Sequence, residues 1–151
     1  MTLGNLFFAG LLAGTEFAIH YGLIASFAAL EDESLLSLRK ALILRLRVMV
    51  PALFFPVILT GIFIAVLGGV TAGLWLRIAG LVCLIPWIVG RVIATAPTNA
   101  AALTWGPGTT PRDWRARVDR AERFHIVGVW AAIGAFVFFL IAAAPHPSVL
   151  R

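Results

Sequence analysis

Apolar residues fall into four long blocks, at 3–30, 48–70, 74–96 and 124–144, with most of the charged residues between them. A stretch of about 20 apolar residues is what an α-helix needs to cross a roughly 30 Å hydrocarbon layer. The first block, at ~28 residues or roughly 42 Å of helix, is long enough to cross with tilt. The second is uncharged and carries Pro51 and Pro56, which predict a kink unless neighbouring groups take up the freed carbonyls. The third has Arg77 and Arg91 towards its ends and is expected to stop at Ala96, before Pro97. The fourth ends before Pro145 and Pro147. The pattern predicts an all-α chain, a single domain over residues 1–151 folded as a four-helix transmembrane bundle.

Glu31-Asp32-Glu33-Ser34 supplies cap candidates before the second block, and Thr110-Pro111-Arg112-Asp113 has the order Thr N-cap, Pro N1 and acid N3. Helices two and four are therefore expected to begin before the membrane does and to extend beyond it on one side. Arg39, Lys40, Arg45 and Arg47 precede block two, and Arg112, Arg115, Arg117, Arg120 and Arg123 precede block four. The other side has Arg77 and Arg151. The excess of positive residues puts 31–47 and 97–123 in the cytoplasm and both termini on the outer side of the cell (inner) membrane, in a multi-pass arrangement. The opening Met-Thr-Leu-Gly-Asn lacks the basic start of a secretory signal, so the first block is expected to be a retained helix.

Composition agrees with lipid as the solvent: 61% of the 151 residues are hydrophobic and 13% charged, with a mean hydropathy of +0.99. The net charge of +5 lies at block ends, where topology signals belong, and does not mark a nucleic-acid surface. Membrane lipids are the expected partners. The single cysteine, Cys83, stands mid-block without a ligand at metal spacing and reads as a small buried residue.

Candidate chemistry begins with Glu16 and His20, four apart on one face at a depth where a carboxylate costs roughly 2.5–3.5 kcal/mol. At 100° per residue Asn5, Ala9, Glu16, His20 and Phe27 share that side. Gly10, Gly14, Ala18 and Gly22 form an opposite small-residue face, which packs closely against a neighbour or joins copies in a homo-oligomer. His125, on a stripe with Ala121, Gly128, Ala132 and Ala135, is expected to point inward. Arg91 sits where its long stem can reach Glu16. Arg45 is a second inward candidate, on a stripe with Met49, Ala52, Pro56 and Thr60, whereas Arg47 points elsewhere and Arg123 suits lipid phosphate. The long connection from Pro97 to Thr110 brings Asn99 and Trp105 to the cytoplasmic mouth, either as a lid or as a helix cap with an interfacial anchor.

Glu16 on an early membrane helix, Pro97-Thr98-Asn99, Trp105, Asp113-Trp114 and Glu122-Arg123-Phe124-His125 together resemble the anthrone oxygenase-like family of small four-helix membrane proteins. The resemblance covers most of the chain and is strongest from Pro97 to His125. It implies an integral membrane oxygenase that uses molecular oxygen to turn an anthrone-type carbon into a quinone, without an obvious flavin or haem motif. Such chemistry needs a base and donors for phenolate oxygens. On this reading His20 or His125 is the base, tuned by Glu16. Arg91, Asn99 and Trp105 contact the substrate, and Phe17, Phe27 and Trp87 floor an apolar cavity.

The same residues permit other classes. Glu16, His20 and His125 are a carboxylate and two imidazoles that suit a zinc, iron or copper ion, and the two histidines suit a haem less well. A carrier of an apolar small molecule, or an accessory subunit docked through the Gly10 to Gly22 face, needs no catalysis.

Overall fold

Backbone polar groups find no water within a bilayer, so long apolar runs satisfy them internally as helix. The computed structural model describes residues 1–27, 30–69 and 73–144, and among these it is helical with no strand. Four spans are long and apolar enough to cross a membrane: Thr2–Ile24, Asp32–Leu67, Gly73–Ala102 and Trp114–Ala143. The chain is thus a membrane-type helical bundle. Residues 28–29 of the first block, Val70, Pro145, Pro147 and Arg151, on which parts of the sequence reading fell, lie outside the described residues.

Unlike a water-soluble bundle, this one is apolar on its surface as well as in its core. Phe7, Phe55, Leu59, Trp75 and Trp130 point outward, as a lipid-facing surface requires, while the core takes Leu12, Val57, Leu84, Trp87, Val129 and Phe139. Spans three and four approach most closely because their contact is built from small residues: a Cβ on Gly80 would stand 2.8 Å from the Phe139 ring, and one on Gly128 would stand 3.3 Å from Trp87. The Ala121, Gly128, Ala132 and Ala135 stripe is buried, as expected. The opposite holds for the first span. Gly10 meets Phe136, but Gly14, Ala18 and Gly22 are exposed, so the small-residue face is not a packing face within the chain.

Span two runs as one helix through Pro51 and Pro56, with the Thr60 hydroxyl donating to the Pro56 carbonyl at 2.5 Å. Two helix boundaries differ from expectation. Span three does not stop at Ala96. A π-helical turn at Arg91–Thr95 shifts the bonding to i→i−5, as in the Ala96 N–H to Arg91 carbonyl bond, and the helix passes Pro97 to reach Ala102. Proline tolerates this because a widened turn has already released the carbonyls its ring would have blocked. Span four starts at Trp114 rather than at Pro111. The Thr109 and Thr110 hydroxyls turn back to the Gly106 carbonyl, and Gly108 adopts φ +75, so these residues complete a turn and do not cap a helix.

The two ends of the bundle have distinct chemistry. At one, Arg39 pairs with Glu122 at 3.1 Å, Arg115 pairs with Asp32, and Lys40 donates to the Trp105 carbonyl. A second core cluster of Ile43, Ala102, Trp105, Trp114 and Val118 packs there. At the other end, Arg77 donates to the Ile64 carbonyl at 3.2 Å, helping to close the last turn of span two beside Gly69 at φ +67. Thr2 and residues 140–144 lie at that second end too. Between the ends, buried Asn5 bonds to the Val57 carbonyl at 3.1 Å and to Thr60 at 3.0 Å, fastening span one to span two.

Candidate active site

Glu16 has no solvent exposure, and a carboxylate in that position needs a compensating charge. Arg91 of span three supplies it through an Nη2–Oε1 ion pair. The other carboxylate oxygen lies 3.3 Å from Nδ1 of His125 on span four, a contact not aligned as a hydrogen bond. A carboxylate at this distance favours the imidazole proton on Nδ1 and leaves the lone pair on Nε2. Among the described residues Nε2 is buried without a hydrogen-bond partner. The His20 ring centroid is 5.6 Å from that of His125, and its own Nδ1 is also buried without a partner.

Both halves of the ion pair sit at a π-helical segment. Arg91 opens the one in span three, and Glu16 stands two residues before the one at Ala18–Ile24. Each widened turn rotates the helix after it relative to regular α-geometry, and such segments recur at functional sites. A uniform 100° per residue along span one does not reveal them.

Beside the pair lies a cavity of about 480 Å³ lined by all four spans. Its deeper wall is aromatic: Phe54 stacks on Trp87 with centroids 4.2 Å apart and planes 12° apart, and the Arg91 guanidinium lies 5.0 Å from the Trp87 centroid. Phe27, Ile43 and Val50 add apolar surface, and His125, Arg91, Asn99, Arg39, Arg47 and Glu122 supply the polar part.

The structure therefore brings together Glu16, His20, Arg91 and His125, of which Arg91 and His125 line the cavity with Asn99. It does not bring Trp105, which is buried against Trp114 at a 6.2 Å centroid separation and is absent from the cavity lining. Asn99 is on a helix and caps nothing, a consequence of the passage through Pro97. Phe17 is exposed and packs on Tyr21, so Phe27 and Trp87 keep their expected place and Phe17 does not. Arg45 and Arg47 exchange roles: Arg45 and Met49 face outward, while Arg47 reaches the cavity. The sequence does not mark Arg39 and Glu122 as partners: Arg39 lies among the basic residues before block two, and Glu122 in the Glu122-Arg123-Phe124-His125 run. Among the described residues no group of three His, Cys, Asp or Glu side chains has the arrangement of a metal site, and Glu16 is committed to Arg91.

No family model, curated protein or solved structure matches this chain.

Proposed function

We propose that the chain is a multi-pass enzyme of the cell (inner) membrane that oxidises a planar, apolar, weakly acidic aromatic molecule of the anthrone type with molecular oxygen. The observation that carries this reading is a buried carboxylate–imidazole contact, neutralised by Arg91, at the edge of an aromatic-lined cavity of drug-like size. In this orientation the basic end, with the starts of spans two and four, extends into the cytoplasm and both termini are outside.

The substrate carbon is a CH₂ between two aryl rings, and its conjugate base is a delocalised anion. Nε2 of His125 takes the proton while Glu16 stabilises the resulting imidazolium, and Arg91 and Asn99 donate to the phenolate oxygen that carries the charge. The anion passes electrons to O₂ and forms a C–O bond, giving a peroxide that recovers the proton from His125. Loss of water then leaves a carbonyl. One oxygen atom stays in the quinone and the other leaves as water, so CH₂ and O₂ balance C=O and H₂O. His20, beside His125, relays the exchanged proton.

Oxygen uptake by vesicles containing the purified chain, with anthrone as probe and protein-free vesicles as blank, tests the proposal. The parent protein is expected to exceed the blank and His125→Ala to lose roughly 10²-fold or more of the excess. A parent rate equal to the blank, or an undiminished rate in folded His125→Ala, overturns it.

A further inference from the structure

The polar part of the cavity is richer in donors than a neutral planar ligand can use. Arg39 gives Nη1 to Glu122 and keeps a buried Nε with no acceptor among the described residues. Arg47 lines the same wall and forms no ion pair among the described residues. Asn99 lines the same cavity, and among the described residues its amide has no side-chain hydrogen bond. Three guanidinium groups thus line a space that holds one carboxylate in its wall, Glu122, and a second behind Arg91, Glu16. One cation is left in excess. Along span two, Arg39 and Arg47 precede Val50 and Phe54, so the cationic part is towards the basic end and the aromatic stack is deeper. Unmatched donors in a half-buried wall favour a ligand that arrives with an acceptor, above all a charged one.

We infer that the cavity takes an amphiphilic acid: an apolar body seated against Phe54 and Trp87, and one anionic oxygen group, carboxylate or phosphate, held by the guanidinium groups of Arg47 and Arg39. This rests on the cavity being the ligand site, as proposed above, but not on the oxidation. It adds a charge requirement that the proton-transfer residues do not impose. Arg39 acts in two directions, holding Glu122 with one nitrogen and the ligand with another, so the ligand's charge also fastens span two to span four.

The probes are 2-anthracenecarboxylate and its methyl ester, which share a tricyclic body and differ in charge. Their affinities for the full chain in a non-ionic detergent are read by titration calorimetry, with mass spectrometry of co-purified lipid. The carboxylate is expected to bind at least about tenfold more tightly than the ester, and Arg47→Gln, an exposed substitution that leaves the core intact, is expected to reduce that preference to about threefold or less. A co-purified anionic phospholipid displaced by the carboxylate assigns the natural acid to a lipid headgroup; the same preference without such a lipid assigns it to a free acid. An ester that binds as well as the carboxylate, or a preference that survives in both Arg47→Gln and Arg39→Gln, overturns the inference while leaving the cavity as the ligand site. Binding of neither probe overturns both.

Discussion

Arg91→Met leaves a carboxylate with zero exposure and no counter-charge, while Arg91 itself retains 21% exposure towards the cavity. Removing one partner of a buried pair costs about 3–5 kcal/mol, and a charged side chain at mid-membrane about 2.5–3.5 kcal/mol, so a loss of roughly 3 kcal/mol is expected. Glu16→Gln removes the more buried charge and leaves an amide that still accepts from a guanidinium with access to polar surroundings, costing about 1–2 kcal/mol. The double variant Glu16→Gln with Arg91→Met buries no unpaired charge. Its loss is expected to be about 2 kcal/mol, well below the sum of the single effects, for a coupling of roughly 2–3 kcal/mol. Equilibrium unfolding in mixed micelles by increasing SDS, followed by far-ultraviolet circular dichroism at neutral pH, measures all four proteins. Losses that add to within about 0.5 kcal/mol would refute the buried pair, because independent sites behave in that way.

Three further outcomes follow from contacts elsewhere. Gly80→Ala should lose about 1–3 kcal/mol in the same assay, since its Cβ would stand 2.8 Å from Phe139, whereas Gly14→Ala, with nothing within 4 Å, should be unchanged within about 0.5 kcal/mol. A Gly14→Ala loss as large as that of Gly80→Ala would show that another surface covers this face. Asn5→Leu should lose about 0.6–1.7 kcal/mol by removing the bonds to Val57 and Thr60 across spans one and two, and no loss would mean that these bonds are not made in the folded state. Outside the membrane-spanning segments, the hydrogen bond from Arg117 draws the Asp113 carboxyl below its ordinary 3.8. Its small contribution to folding is present above 3.8 and is lost as pH falls through the lower folded value. A carboxyl-carbon NMR titration should place Asp113 below 3.8, rising towards it in Arg117→Ala; a parent midpoint above 3.8 contradicts the contact.

Membrane character, four spans and the inward side of spans one and four were legible in the sequence, because hydropathy and helical periodicity are local quantities averaged over many residues. Burial of Asn5, Ala9 and Glu16 on one side, and of Ala121, His125 and Gly128 on the other, follows from that periodicity. The pairing of Glu16 with Arg91 was also within reach, since a lone intramembrane carboxylate demands a cation at similar depth. What the tertiary structure alone decided is which of several equally spaced side chains meet. Arg47 and not Arg45 lines the cavity, Arg39 finds Glu122, Asn99 reaches the cavity from a helix that runs through Pro97 and not from a loop, and Trp105 leaves it for a separate aromatic cluster. Each of these depends on a helix phase altered by a π-turn or on contact between residues distant in the chain. A one-residue change in bonding register rotates every later side chain, and no local pattern in the sequence records it.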